Sequence, residues 1–276
     1  AKHLRAAGAE VTFSTVLGED DLKNFVLEDL DAAGIAVNCV VDPTRPTTNK
    51  NAFIAGGYRL LKVDTLDNRS ISGKILGKMC ESIGKTKTDL IVYSDFRHGI
   101  FSRETIPSLI EAIPTGTFKV GDSQVASRWG NILDFKDFDL ITPNEKEARF
   151  SLGDQDTVVR PLGTQLYKKA GCGCLMLKMG SRGMITFRAP VAELADVRDF
   201  FVVDSFADRV VDAVGSGDAL LSYASLALKV TGSEVIASVL GSLAAAVECE
   251  KDGNIPVHPD DVRRKLETIE KMANYG

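Results

Sequence analysis

What the chain lacks narrows its function before any motif is read. Its 276 residues contain no Gly-x-x-x-x-Gly-Lys-Ser/Thr loop, so a nucleotide phosphate must be held by some other device. No apolar run approaches the roughly 20 residues of a membrane-spanning helix. The first eight residues, Ala-Lys-His-Leu-Arg-Ala-Ala-Gly, contain no apolar signal core. There is no basic excess: 33 Lys and Arg stand against 38 Asp and Glu, a net charge of −5. That argues against a nucleic-acid partner, whose phosphates would need neutralising. It leaves a small anionic substrate open, since that needs only a local basic pocket. Five cysteines leave one over from any full pairing. Cys39, Cys80 and Cys249 are scattered, and Cys172 and Cys174 form a Cys-Gly-Cys with no second pair at zinc-ligand spacing. Free thiols in a reducing cytoplasm are expected. There is no internal repeat, linker or low-complexity segment, so one domain is expected. The chain does not open on Met, and Ala1 to Ala7 reads like the middle of a helix, so further sequence is expected upstream.

What is present has the balance of a soluble globular α/β protein, 44% apolar and 26% charged. Helical and extended segments alternate. Val11 to Val16 is β-rich. Asp20 to Ala33 carries a helical stripe through Leu22, Phe25, Val26 and Leu30, ending at Gly34. Ala36 to Val41 is extended again. The rhythm breaks at 44–66, where Thr47 to Ile54 and Tyr58 to Val63 read as two strands joined at Ala55-Gly56-Gly57. Such a hairpin inside an α/β chain suits a flap or lid. The alternation resumes with a helix over Ile71 to Ile83, a strand over Leu90 to Ser94, and a helix over Ser102 to Ala112 with Ser102 as its N-cap. Strands follow at Phe118 to Gly121 and Asp139 to Thr142, then helices at Glu145 to Leu152 and Leu162 to Ala170. Cys174 to Lys178 and Met184 to Phe187 form a hairpin pair. Ala219 to Val230, Ser233 to Cys249 and Asp260 to Tyr275 close the chain as helices. This order predicts βαβ units around a mostly parallel sheet.

Three motifs could carry chemistry. Asp212-Ala213-Val214-Gly215-Ser216-Gly217-Asp218 places two glycines directly before a helical run. Glycine lets backbone amides turn inward, and a helix N-terminus adds free amides and partial positive charge. Together these make an anion cradle, with Asp218 placed to take a proton from an attacking hydroxyl. The plainer alternative is that Asp218 only caps the helix. Thr142-Pro143-Asn144-Glu145-Lys146-Glu147 follows a strand and opens a helix. Asn144 and Glu147 share a face there and suit Mg²⁺, directly or through water; a capping box is the alternative. Lys178-Met179-Gly180-Ser181-Arg182-Gly183 lies between two strands. Lys178 could meet a phosphate and the turn could approach a nucleotide, or it could be an ordinary hairpin turn.

From Ala9 onward these motifs, in this order, resemble the ribokinase-like (PfkB) carbohydrate kinases. The resemblance implies a three-layer α/β sandwich with a central, mostly parallel sheet and a small β lid at about 44–66. It implies an anion hole at Gly215, Ser216 and Gly217, with Asp218 as catalytic base. It implies a magnesium-organising pair at Asn144 and Glu147, and a nucleotide side at Lys178, Gly180, Ser181 and Gly183. Within the family, Arg45-Pro46-Thr47-Thr48-Asn49-Lys50, Arg59-Leu60-Leu61-Lys62-Val63-Asp64 and Tyr93-Ser94-Asp95-Phe96-Arg97-His98-Gly99 are similar to the kinase domain of bacterial ADP-heptose synthesis proteins. That implies ATP-dependent phosphorylation of D-glycero-D-manno-heptose 7-phosphate, a lipopolysaccharide precursor, at its anomeric hydroxyl. Arg45, Lys50, Arg59 and Arg97 are then the candidate partners of the distal sugar phosphate, with surface charge as the alternative for each, and Asn49 and Asp95 are further substrate-binding candidates. ATP and Mg²⁺ are the implied cofactors, with a monovalent cation as an optional addition. A cytoplasmic homodimer is the implied state, with no membrane or nucleic acid as partner.

The chain departs from the family pattern in three ways. Ser216 stands where the anion hole usually has Ala, and His98 stands where relatives often have Lys. No Gly-Gly-x-x-Asn sugar-binding motif or His-x-Gly-His nucleotidylyl-transfer signature is present. Two rival functions stay open: another sugar or nucleoside kinase of the family, and a regulatory sugar- or nucleotide-binding protein with impaired catalysis.

Overall fold

A computed structural model describes residues 1–55, 58–124, 131–188 and 199–275, without the side chains of residues 58, 59, 274 and 275. The hairpin turn expected at Gly56-Gly57 lies outside the described residues.

Strands β1 (Thr12–Leu17) and β2 (Ala36–Val41) pair in parallel around helix α2 (Asp21–Ala32). Asp20 caps α2 by accepting the N–H of Lys23 at 3.1 Å. A short helix, α1 (Lys2–Ala6), precedes them. Strands β3 (Asn49–Ala55) and β4 (Tyr58–Thr65) form a separate antiparallel hairpin, irregular at Phe53/Ile54. The main sheet has six strands in the order β10-β9-β8-β7-β6-β5. Its parallel part is β5 (Leu90–Asp95), β6 (Phe118–Ser123), β7 (Leu140–Ile141) and β8 (Cys174–Lys178). Strands β9 (Met184–Phe187) and β10 (Phe200–Val203) extend it antiparallel.

The period-two alternation of a strand sorts residues to the two faces. Along β8, Leu175 and Leu177 face one core while Cys174 and Met176 face the other. The first face packs on α3 (Gly73–Lys85), α4 (Ile106–Glu111), α5 (Glu145–Leu152) and α6 (Val159–Ala170). The second packs on α7 (Ser216–Thr231) and α8 (Glu234–Cys249), with α9 (Pro259–Tyr275) behind them. The expected three-layer α/β sandwich is therefore present. A parallel sheet must be covered on both faces, which is why its central strands read as continuous apolar runs.

Four expectations needed adjustment. Helix α4 starts at Ile106, not Ser102. The Ser102 hydroxyl accepts from Glu104 and Thr105, so it does its capping in a turn ahead of the helix. Helix α6 starts at Val159, three residues early, because Pro161 sits in its first turn, where no donor is missed. Strand β7 is only two residues long. Strand β10 has no counterpart in the sequence reading; its four residues pair only with β9, and Val202 is half exposed.

An aromatic cluster packs under β6. Phe135 and Phe138 meet edge-on at 5.4 Å, and Tyr93 is 6.0 Å from Phe138. A Cβ on Gly121 would come within 3.2 Å of the Phe135 Cβ. Phe138→Ala is expected to cost about 3–5 kcal/mol of unfolding free energy. Gly121→Ala is expected to cost about 1–3 kcal/mol through overpacking. Urea unfolding midpoints of the two variants check both, and an unchanged midpoint for either would mean the aromatic cluster is looser than this.

Candidate active site

The carboxyl ends of the parallel strands and the first turns of α5 and α7 converge at one edge of the sheet. Ligand sites of open α/β sheets form at this edge. Helix α7 begins immediately after Gly215, whose φ of 91° lies in the region that favours glycine. A Cβ there would lie 2.6 Å from Glu248 Oε1 and 2.7 Å from Asn254 Oδ1, so no side chain fits. The turn is held by the Ser216 hydroxyl, which donates to the Ala213 carbonyl at 2.8 Å. Ser216 therefore spends its side chain on the turn. Asp218 sits half-buried in the first turn of α7 and accepts no bond that would make it the cap. Burial, and then Asp122, push its carboxyl above the ordinary aspartate range, while Lys178 opposes them.

At α5 the capping box is fully formed. Asn144 Oδ1 accepts the N–H of Glu147 at 2.9 Å, and Glu147 Oε2 accepts the N–H of Asn144 at 2.6 Å. A capping glutamate is usually exposed, yet Glu147 is only 6% exposed. Its pKa is pushed up to about 7 by burial, with Lys178 lowering and Asp122 raising it. The cap uses one carboxylate oxygen and leaves Oε1 and a second lone pair on Asn144 for an ion or its waters. Among the described residues no three His, Cys, Asp or Glu side chains converge on a metal position. The residues thus fit Mg²⁺ held mostly by water and substrate oxygens, as that ion prefers.

Lys178 links the two helix starts. Its backbone N–H reaches the Pro143 carbonyl at 2.9 Å, and its ammonium lies 3.2 Å from Asp122 Oδ1. Burial alone would lower its pKa, but Asp122 and Glu147 overcome that and raise it. The turn at Gly180, Ser181 and Gly183 is a short 3₁₀ connection from β8 to β9. A Cβ on Gly183 would meet the Val203 carbonyl at 2.0 Å, whereas Gly180 faces open space and Ser181 is exposed.

The sugar-side candidates divide. The Arg45 side chain is 7% exposed, pairs with Asp42 at 2.9 Å, and reaches the carbonyls of His98 and Arg69. Arg97 lies between Asp95 at 2.6 Å and Asp134 at 2.7 Å, with φ of 56°. Asp95 is buried and its pKa rises to about 6 through desolvation, opposed by Arg97. These three residues are tied into the protein itself. Asn49 opens β3 opposite Thr65. Lys50 remains exposed, its ammonium 5.1 Å from the Phe96 ring centre. The Arg59 side chain lies outside the described residues. Asp122 and Glu248 were not singled out from the sequence. Asp122 could have been found as a carboxylate at the carboxyl end of a parallel strand.

Comparison with known proteins adds the family. A family model described as pfkB family carbohydrate kinase matches residues 1–260. The bifunctional protein HldE of Pelobacter propionicus is 26% identical over 262 residues, covering 92% of this chain and 51% of that protein. HldE of Caulobacter vibrioides is 28% identical over 260 residues, again 92% and 51%. The chain spans about half the length of these curated relatives. Phosphofructokinase-2 from Escherichia coli in complex with potassium superposes with a TM-score of 0.79 at 16% identity, covering 98% of this chain and 85% of that one. Ribokinase from Thermotoga maritima gives 0.74 at 17% identity, covering 96% and 84%. The architecture is ribokinase-like, and with the family match running through both helix starts and the turn at Asp218, the chain belongs to the pfkB family of carbohydrate kinases.

Proposed function

We propose that the chain is an ATP-dependent sugar kinase acting on D-glycero-D-manno-heptose 7-phosphate at its anomeric hydroxyl. Residues 1–276 would act as one kinase domain, with 44–66 as its lid. The observation that carries the reading is Asp218 itself. It stands half-buried at a turn whose Gly215 admits no side chain, beside a lysine ammonium and at the positive end of α7. A carboxylate pushed above its ordinary pKa is a better base near neutrality. Asp218 would accept the proton of the sugar hydroxyl, while the amides at Gly215, Ser216 and Gly217 receive charge on the transferring phosphoryl group. Lys178, Gly180, Ser181 and Gly183 would line the nucleotide side. Asn144 and Glu147 would hold hydrated Mg²⁺, which supplies charge neutralisation across the phosphates.

The acceptor is proposed from chemistry at the hairpin. Lys50, Ala52, Lys62 and Asp64 share one face of it, since Lys50 pairs with Asp64 and Ala52 with Lys62. Partial desolvation and Lys62 lower the Lys50 pKa, and burial and Lys50 lower that of His98, with Asp64 opposing both. Lys50 and Lys62 against the single carboxylate of Asp64 leave net positive charge on this face, which supports a phosphorylated sugar over a neutral one. Arg45 and Arg97 would support it indirectly, by holding the loops. No described helix is long and apolar enough to cross a membrane, and with free thiols among the described cysteines a cytoplasmic location is proposed.

Two further parts of the proposal rest on separate observations. Phe53, Leu61 and Val63 are exposed on the opposite face of the hairpin, at 55%, 55% and 42%. A lone two-stranded hairpin is marginal in water, which supports a homodimer formed over this face. Glu248 is fully buried and its Oε2 has no partner among the described residues, although Oε1 and Asn254 Oδ1 both approach Gly215. An orphaned buried carboxylate oxygen beside the anion turn supports a monovalent cation there.

Asp218→Asn is expected to lower kcat by about 10²–10⁴-fold with ATP affinity nearly unchanged; near-normal turnover would remove Asp218 as the base. Because the Asp218 pKa is raised, its base form is lost as pH falls through a value above the ordinary aspartate range. The acid limb of the kcat profile should therefore lie above that range. Heptose 7-phosphate should give the highest kcat/KM in a panel with ribose, fructose 6-phosphate and nucleosides; a better rival would transfer the reading to that substrate. Phe53→Lys with Leu61→Asp should convert a dimer to monomer by light scattering, and a wild-type monomer would sink the dimer. Replacing K⁺ by a bulky organic cation should reduce the rate several-fold, and an unchanged rate would remove the cation.

A further inference from the structure

We propose that Asp122 is a positioning residue that holds the Lys178 ammonium against the phosphoryl group in transit, so that Lys178 is a catalytic residue and not only a nucleotide contact. This rests on the phosphoryl-transfer reading of the Asp218 turn.

The placement begins with sheet register. Strand β7 lies between β6 and β8, with Gly121 level with Ile141 and Ile141 level with Leu175. Asp122 and Thr142 are each the next residue along their strands, at the carboxyl edge. Thr142, fully buried, donates its hydroxyl to Asp122 Oδ1 at 2.8 Å. The same oxygen receives the Lys178 ammonium at 3.2 Å. Asp122 is 5% exposed, so its carboxylate is fixed by packing, a hydroxyl and an ion pair at once. Lys178, at the end of β8, bridges across β7 to reach it. The far side of the ammonium faces α7: a Cβ on Gly217 would lie 3.5 Å from Lys178 Nζ. The ammonium therefore sits directly beneath the glycine turn.

Three carboxylates act electrostatically on this one cation. Glu147 spends Oε2 on the Asn144 N–H, and Asp218 interacts with Lys178 through space. Asp122 is the one of the three at hydrogen-bond distance among the described residues. A lysine on its flexible stem has three donors and no preferred direction; Asp122 supplies the direction. The ammonium so held lies between the base and the metal-organising pair. In the transfer, the bond from acceptor oxygen to phosphorus forms as the bond to the ADP oxygen breaks, and the hydroxyl proton goes to Asp218. The charge on the equatorial phosphoryl oxygens then passes beside Lys178. A fixed cation there stabilises that charge without reorganising. A lysine that only neutralised buried carboxylates would change folding and leave turnover alone.

The test uses the full-length natural protein with ATP and the acceptor that supports the fastest turnover. Lys178→Met should lower kcat by about 100-fold or more while the KM for ATP moves little. Asp122→Asn should lower kcat by about 10-fold, with Asp122→Glu recovering part of it. Because Asp122 acts through Lys178, the Asp122→Asn/Lys178→Met double variant should match Lys178→Met within about 2-fold, in place of a product of the two losses. The double variant also removes both charges of the pair, so it folds where Lys178→Met alone leaves Asp122 unpaired. A double variant with kcat close to wild type overturns the proposal, as do losses that multiply. Asp218→Asn is run alongside. If it alone stays active, the phosphoryl-transfer reading fails; if it is inactive while the Lys178 variants turn over normally, only the role of Lys178 fails.

Discussion

The ion pair between Asp122 and Lys178 is the constraint on which the rest of this site depends. Three carboxylates, from Asp122, Glu147 and Asp218, act on one largely buried ammonium. Each would be costly to bury as an anion without compensation. One ammonium, from Lys178, is their common counter-charge. Breaking a buried pair by removing one partner typically costs more than the pair contributes, because a charge is left behind. The arrangement is thus fixed as a unit. The strand ends set the spacing, Thr142 fixes Asp122, and the pair in turn sets the electrostatic environment of the proposed base.

A second network braces the hairpin. The Arg45 guanidinium ties Asp42 to the carbonyls of Arg69 and His98. The Thr47 N–H is held by Asp20 at 2.7 Å, and its hydroxyl accepts the Gly18 N–H at 3.0 Å. Gly99 has no room for a side chain, since a Cβ would strike the Arg69 carbonyl at 2.3 Å. Both feet of the hairpin and the loop after β5 are therefore joined through one buried arginine. The tip, by contrast, is an isolated pair of strands with apolar residues outside. A braced base under an isolated pair of strands is the form that the proposed lid would require.

Much of the fold was legible in the sequence because its signals are local. Asp20, Ser72, Asn144 and Ser233 all cap helices, and Gly153, Gly171 and Gly232 end them in the left-handed region. Strand β10 was not legible, since four apolar residues become a strand only when β9 offers an edge. The glycine turn and Asp218 were legible as a motif. Asp122 was not, because nothing in Gly121-Asp122-Ser123 distinguishes it until β8 brings Lys178 alongside. The ion pairs that hold Arg45 and Arg97 were not legible, because charge is visible in a sequence and its partner is not. Their carboxylate partners include Asp134, 37 residues away from Arg97.

Asn144 and Glu147 show why structural and functional readings of one motif need not compete. A metal-organising carboxylate must point in a fixed direction before the ion arrives, or ordering it weakens binding. The capping box supplies that order. Glu147 Oε2 is locked by the Asn144 N–H, the Asn144 amide oxygen is locked by the Glu147 N–H, and the oxygen left over is aimed by those two bonds. Helix capping alone would be satisfied by an exposed glutamate. Burial, which raises the Glu147 pKa to about 7, adds nothing to the cap and weakens the ionised form that the cap prefers. That cost is hard to explain by stability and is removed when positive charge sits beside the carboxylate. Lys178 supplies part of it, and the proposed hydrated cation would supply the rest. The same two residues therefore end a strand-to-helix loop and, on the proposed reading, would define one side of a phosphate-transfer site; the burial of Glu147 is the feature that separates this motif from an ordinary cap.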